Sequence, residues 1–257
     1  MSAVQNVTMP DAGMNIDKKS DGRIKILQGY TIATVLGVLA GGYMALIYAG
    51  ADVVQGEVQR LFYFHLPVFF GAFAAFTMTV VGGVQYLRTR KEKWDTLALA
   101  GVEVGIALAL INLATGAIWA RPIWNTWWTW DPRLTSAAIM VLTYAAYLML
   151  RSGIDNPERR RRFASVYGIL AISTVIFTTI VIRIRPDTIH PAVIGTSPST
   201  GTEGAFDITP GVGAAMVFNL IVWIVFVTPV LMWWRIRLQD LLERAYKMKM
   251  IYLEGSA

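Results

Sequence analysis

Charged residues divide the chain into long apolar runs separated by short polar ones. Asp, Glu, Lys and Arg are absent from five stretches, 26–51, 61–87, 134–150, 163–182 and 208–234, and a sixth, 96–120, contains only Glu103. A helix rises 1.5 Å per residue, so about 20 apolar residues cross a hydrocarbon core about 30 Å thick. Five of the runs reach that length, and 134–150 lies at the short limit. Hydrocarbon offers no partner to backbone N–H and C=O groups, and the runs lack the polar/apolar alternation of barrel strands. The pattern therefore predicts an all-α integral membrane protein with six transmembrane helices.

The cations between the runs give the orientation. Eighteen of the 23 Lys and Arg fall before the first run, after the second and fourth, or after the sixth; the other five, Arg60, Arg121, Arg133, Arg183 and Arg185, fall on the opposite side. The excess of cations on the inner side predicts that both termini are cytoplasmic. Residues 1–25 lack the apolar core and cleavage site of a signal peptide and read as a disordered cytoplasmic extension to the membrane domain 26–234. In the tail 235–257, Leu238, Leu241, Leu242 and Ala245 recur at helical spacing, which predicts an amphipathic helix lying on the inner membrane surface. The run Arg159 to Arg162 reads as a topology signal and lipid-headgroup contact, in preference to a phosphate site. Gly37 with Gly41, and Gly101 with Gly105, are pairs that let helices approach closely.

Composition agrees with this layout. The 257 residues are 55% hydrophobic and only 16% charged, which excludes an ordinary soluble enzyme. The formal charge of +6 would suggest nucleic acid, but its distribution is accounted for by topology, so no nucleic-acid partner is expected. There is no Cys, which excludes disulfides, iron–sulfur clusters, thiolate metal sites and a C-x-x-C-H for covalent haem attachment.

Candidate chemistry collects on the outer face. The stretch 119–135, read as a loop, holds Trp119, Trp124, Trp127, Trp128 and Trp130, five of the nine Trp, followed by Asp131 and Arg133. An interfacial aromatic belt accounts for one or two Trp per helix end, not for five with an acid and a cation behind them. Such a surface suits a flat amphipathic ligand, with rings to stack on and Arg133 or Arg121 to pair with carboxylates. Both histidines, His65 at the outer end of the second run and His190 in the loop before the sixth, lie on the same face. Each alone reads as an interfacial side chain; as a pair they suit the two axial positions of haem iron. The loop from Arg183 to Asp207, rich in Thr, Ser, Gly and Pro, reads as a lid over a ligand. Glu103, roughly 10 Å inside the third helix, is costly in a membrane and reads either as a structural ion pair or as a functional acid.

The string from Trp124 through Trp127, Trp128, Trp130, Asp131 and Arg133 to Ser136 resembles the tryptophan-rich signature of WWD-domain haem-handling membrane proteins. Its Arg-Leu-Thr-Ser ending resembles the haem exporter protein C (CcmC) branch of cytochrome c maturation. The likeness covers roughly residues 25–237; Asn125 and Pro132 stand where that branch usually has Gly and Ala. The resemblance implies haem b, bound non-covalently and transiently on the outer face of a prokaryotic inner membrane. His65 and His190 would be the axial ligands and the Trp loop the platform. It also implies delivery to a periplasmic haem chaperone of the CcmE type, in a complex with ATP-binding-cassette transporter subunits and a small membrane subunit. On this reading the chain is a haem-handling subunit with no catalytic residues. Two alternatives are a synthetase-like enzyme that attaches haem to apocytochrome, disfavoured by length and by the two His, and a docking or transport subunit without a cofactor.

Overall fold

The structure, a computed structural model, describes residues 14–52, 55–185, 187–190 and 209–255. Among them are seven α-helices: α1 Met14–Tyr43, α2 Phe62–Thr89, α3 Glu92–Trp124, α4 Pro132–Ser152, α5 Pro157–Ile184, α6 Pro210–Ile221 and α7 Thr228–Gly255. A π-helical segment, Met44–Tyr48, extends α1; another, Val222–Val227, joins α6 to α7 into one continuous helix; a short 3-10 turn, Glu57–Leu61, leads into α2. These make six helices long and apolar enough to cross a membrane, as the pattern of apolar runs predicts.

Most of the helices outrun their apolar stretches, because backbone hydrogen bonding continues until a capping residue or breaker stops it. Three helices begin with the same pairing of a capping side chain and a proline. Asp131, Asn156 and Thr209 each accept a hydrogen bond from the backbone N–H three residues on, and each is followed by Pro at the first helical position. Proline has no N–H to lose there, and its fixed φ suits the helix. Pro132 therefore helps to start α4, which spans 21 residues against the 17 of its apolar run.

The two ends of the chain differ from expectation. Helix α1 begins at Met14, so residues 14–25 are helical and not a disordered extension; residues 1–13 lie outside the described residues. No helix breaker stronger than Gly22 interrupts that stretch, and Lys and Arg are good helix formers. At the other end, 235–255 is helical as expected, but α7 runs on from the spanning segment without a break. The combined helix, Pro210–Glu254, is 45 residues long, roughly 68 Å at 1.5 Å per residue. With no turn between Trp234 and Arg235, the tail continues the spanning helix instead of folding back as a separate helix.

Helices α2 and α3 form the centre, α4 and α5 pack on one side, and α1 with α6 and α7 on the other. The Gly101 and Gly105 pair makes the central contact possible. A Cβ on Gly101 would fall 2.6 Å from the Ala75 carbonyl, and one on Gly105 2.4 Å from the Phe76 ring. Phe76 in turn stacks on Tyr144 of α4, with ring centroids 3.6 Å apart.

Ion pairs tie the end of the bundle opposite the tryptophans. Arg151 at the end of α4 makes two hydrogen bonds to Asp95 of α3, at 2.6 and 2.8 Å, and both side chains are largely buried. Arg161 of α5 pairs with Glu92 at 2.6 Å and lies 3.7 Å from Asp95. One member of the Arg159 to Arg162 run is thus engaged within the protein. Glu103 is also paired: Arg235 approaches it through Nε and through Nη2, the latter 3.0 Å from Oε1. Both side chains are partly exposed, at 32% and 24%, so this bond between α3 and α7 is neither fully desolvated nor fully screened.

The pair's contribution is measurable in a double-mutant cycle of Glu103→Gln and Arg235→Gln, followed by thermal unfolding in detergent. Each single variant is expected to unfold at lower temperature, and the double variant to lose less than their sum, with a coupling on the order of 1 kcal/mol.

Candidate functional site

At the tryptophan end of the bundle, a cavity of about 270 Å³ opens between α2, α3, α4, α5 and the segment ending at His190. Its wall is mostly apolar and aromatic, including Phe62, Phe69 and Phe70 from α2. Six of the ten residues expected from sequence line it: His65, His190, Trp119, Trp124, Trp128 and Arg133. The other four, Trp127, Trp130, Arg121 and Asp131, are not in the wall.

Helix ends explain this division. Residues 119–124 belong to α3 and 132–135 to α4, so the stretch read as a loop is a loop only over 125–131. Helical spacing turns Trp119 inward and Arg121 outward. Trp119 meets Trp124 edge to face, with centroids 5.0 Å apart, and its Nε1 donates to Gln55 Oε1 at 3.0 Å. Arg121 donates through Nη1 to both the Asn125 carbonyl and Asn125 Oδ1, at 2.7 and 2.6 Å, and so helps to cap α3. Asn125 closes the helix in the left-handed conformation, φ 55° and ψ 23°, where Gly is the least strained residue and Asn the next best. Trp127 and Trp130 face outward, with 59% and 78% of their surfaces exposed; Trp130 meets Trp128 edge to face at 5.6 Å.

The two histidines come together although 125 positions separate them. Their ring centroids are 6.4 Å apart with planes 32° from parallel, and Trp124 presents its edge to His190 at 6.3 Å. His65 is held from α3. Its Nδ1 lies 3.1 Å from Thr115 Oγ1, and Asn112 Nδ2 donates to the His65 carbonyl at 2.8 Å. Asn112 Nδ2 also lies 3.2 Å from Nδ1, while the Thr115 hydroxyl is within reach of the carbonyls of Ile111 and Asn112, at 2.9 and 3.0 Å. In either tautomer Nδ1 is the ring nitrogen engaged from α3, by Thr115 or by Asn112, which leaves Nε2 as the nitrogen a metal would take. Gly116 gives the ring room: a Cβ there would fall 3.0 Å from His65 Cε1.

Arg133 supplies the charge. Its guanidinium carbon stands 4.7 Å above the centre of the Phe69 ring, and its buried Nη1 has no hydrogen-bond partner among the described residues. Trp128 Nε1 is likewise buried without a partner. Unpaired buried donors are costly, and two at one cavity mark a place where an acceptor-bearing ligand would be held.

Sequence reasoning missed Gln55, Asn112, Thr115 and Thr188, all of which hold site residues in place. Asn112 and Thr115 carried a signal: they are polar, three residues apart on one face of an otherwise apolar helix. Asp131, expected as a ligand contact, lies outside the cavity wall. It caps α4 and bonds to the segment carrying His190, at 3.0 Å to the Thr188 hydroxyl and 3.2 Å to the Ile189 N–H. The proposed lid has only its first residues, up to His190, among those described; 191–208 lie outside them. No cluster of three or more metal-binding carboxylates and imidazoles exists among the described residues.

Comparison with known proteins follows the same residues. The family model described as Heme exporter protein C matches residues 21–190. Among curated relatives, the Heme exporter protein C of Rhodobacter capsulatus is 32% identical over 156 residues, which is 61% of this chain and 63% of that protein. That of Paracoccus denitrificans is 33% identical over 152 residues, 59% and 60% of the two chains. That of Escherichia coli K12 is 29% identical over 141 residues, 55% and 58%. The matches span about three fifths of the length of these relatives.

The left-handed cap is testable by itself. Asn125→Val is expected to lower stability by roughly 1–2 kcal/mol and Asn125→Gly by less, as read by thermal unfolding in detergent, because only the β-branched residue is strained at positive φ.

Proposed function

The chain belongs to the Heme exporter protein C family, and on that premise we propose that it binds haem b non-covalently between His65 and His190 and hands it to a periplasmic haem chaperone. The observation that carries this reading is the spacing of the two imidazoles beside a cavity walled by tryptophans. Two imidazoles bound about 2.0 Å from one metal, with ring centres about another 1.2 Å back, have centroids roughly 6.3 Å apart. The 6.4 Å between His65 and His190 agrees with that requirement. The remaining groups suit the rest of the ligand: Trp119, Trp124 and Trp128 offer aromatic surface to a flat macrocycle, and the unpartnered Arg133 Nη1 offers a cation to its propionates.

In this function the protein contributes binding and presentation, not catalysis. Haem brings the iron; the chain brings two neutral nitrogen ligands, an apolar aromatic wall and the Arg133 cation, with Arg183 also in the wall. The name shared by the relatives, an exporter, supports a handling subunit over a synthetase. Exposed Trp127 and Trp130, beside the cavity but turned away from it, form the surface on which the chaperone docks. ATP-binding-cassette subunits and a small membrane subunit complete the complex that releases the loaded chaperone. The protein lies in the prokaryotic inner membrane with both termini in the cytoplasm, a placement supported by the eighteen-to-five distribution of its cations.

The haem reading is tested by the visible spectrum of the detergent-purified chain after haem addition. A low-spin, six-coordinate spectrum is expected; His65→Ala and His190→Ala should each abolish it or lower haem retention. A protein that takes up no haem, or variants with unchanged spectra, would overturn the assignment. The absence of Cys allows a clean test of sidedness. In intact spheroplasts, Thr126→Cys should react with a membrane-impermeant maleimide and Lys247→Cys only after lysis, whereas the reverse pattern would invert the topology.

A further inference from the structure

Asp131 contributes nothing to the cavity wall, yet its carboxylate is fully engaged. Oδ1 accepts the Leu134 N–H at 2.8 Å and caps α4. Oδ2 accepts the Thr188 hydroxyl at 3.0 Å and the Ile189 N–H at 3.2 Å. The Thr188 oxygen in turn accepts the N–H of His190 at 3.3 Å. A relay of hydrogen bonds thus runs from the tryptophan loop to the backbone of one histidine, through a threonine that is only 1% exposed.

We propose that Thr188 is a positioning residue for His190: with Asp131 it forms a clasp that fixes this histidine opposite His65 at the spacing iron requires. The inference rests on the haem reading given above. The two histidines reach the site by different means. His65 stands on α2 and its ring is hydrogen-bonded to α3, so packed helices determine its position. His190 stands on a segment outside any helix, which Thr188 and Ile189 bond to Asp131 of the tryptophan loop while the His190 ring meets Trp124 edge to face at 6.3 Å. A carboxylate acceptor makes these bonds stronger than neutral ones, and burial of Thr188 keeps water from replacing its hydroxyl bond. The adjoining turn is closed by Arg185, which donates from Nε and Nη2 to Asp187 at 2.8 and 2.6 Å and holds that carboxyl below its ordinary pKa. The clasp makes the binding of the second axial ligand depend on the conformation of the tryptophan loop. A chaperone that docks on the loop and shifts Asp131 would loosen His190 while His65 stays in place.

Thr188→Val keeps the shape of the side chain but removes the hydroxyl; Thr188→Ser keeps the hydroxyl. In the full-length chain loaded with haem, Thr188→Val is expected to convert part of the iron from low-spin six-coordinate to high-spin five-coordinate. Transfer of haem to excess apomyoglobin should become about 10-fold faster, the lower end of effects seen when a metal ligand loses its outer partner. Added imidazole should restore the low-spin spectrum, and Thr188→Ser should match the parent chain. Parent-like spectra and loss rates in Thr188→Val would overturn the clasp. If that variant does not fold, Asp131→Asn serves instead, since Asn retains an acceptor for capping but offers an NH₂ group in place of the second oxygen. The same change of spin state there supports the clasp, and an unchanged spectrum overturns it. A parent chain that never gives a low-spin spectrum would instead overturn the haem reading itself.

Discussion

A polar group inside a membrane has no water to turn to, and the arrangement of this bundle follows from that constraint. Asp95 is enclosed by Arg151 and Arg161, Glu103 by Arg235, and Asn219 spends its amide on the carbonyls of Gly41 and Ala215. Apart from the Asn219–Ala215 bond, which lies within α6, these contacts join different helices, so polar pairing and helix packing reinforce one another. Of the nine buried side-chain atoms without hydrogen-bond partners among the described residues, four lie between Trp128 and Thr135. Two of these, Trp128 Nε1 and Arg133 Nη1, are donors on residues that line the cavity, where a ligand with acceptors would satisfy them.

The central contact between α2 and α3 connects that constraint to the site. Gly101 and Gly105 bring the two helices together, and the same pair of helices then aligns His65 with Thr115, and Gly116 with the edge of its ring. One imidazole is therefore positioned by the core of the fold. The other arrives on a non-helical segment and is attached through Thr188 and Asp131. On the proposed function, one histidine set by packed helices and one attached through a hydrogen-bonded clasp would suit a site that holds haem and then releases it.

Much of the fold was legible in the sequence because hydrocarbon imposes a length and a composition on anything that crosses it. The six apolar runs became six spans, and Glu103, open between two readings, is held in an ion pair. Helix ends were less legible, since the apolar pattern stops at the membrane while hydrogen bonding continues. That is why residues 14–25 and 119–124 are helical, and why the tail continues α7. The site was legible as composition, in clustered Trp and paired His. It was not legible as direction: the extra turn of α3 sends Trp119 inward and Arg121 outward, and only the burial of Arg133 distinguishes the two cations. Asp131 stood in the motif as a ligand contact, but its bonds to Thr188 and Ile189 join residues too far apart in sequence for spacing to reveal.

On the proposed function, one iron lies between His65 and His190. The most direct test is pulsed electron paramagnetic resonance of the haem-loaded chain carrying ¹⁵N-labelled histidine. Two coupled imidazole nitrogens in the parent chain, reduced to one in either His65→Ala or His190→Ala, is the result predicted. A single coupled imidazole in the parent chain, or none, would contradict it.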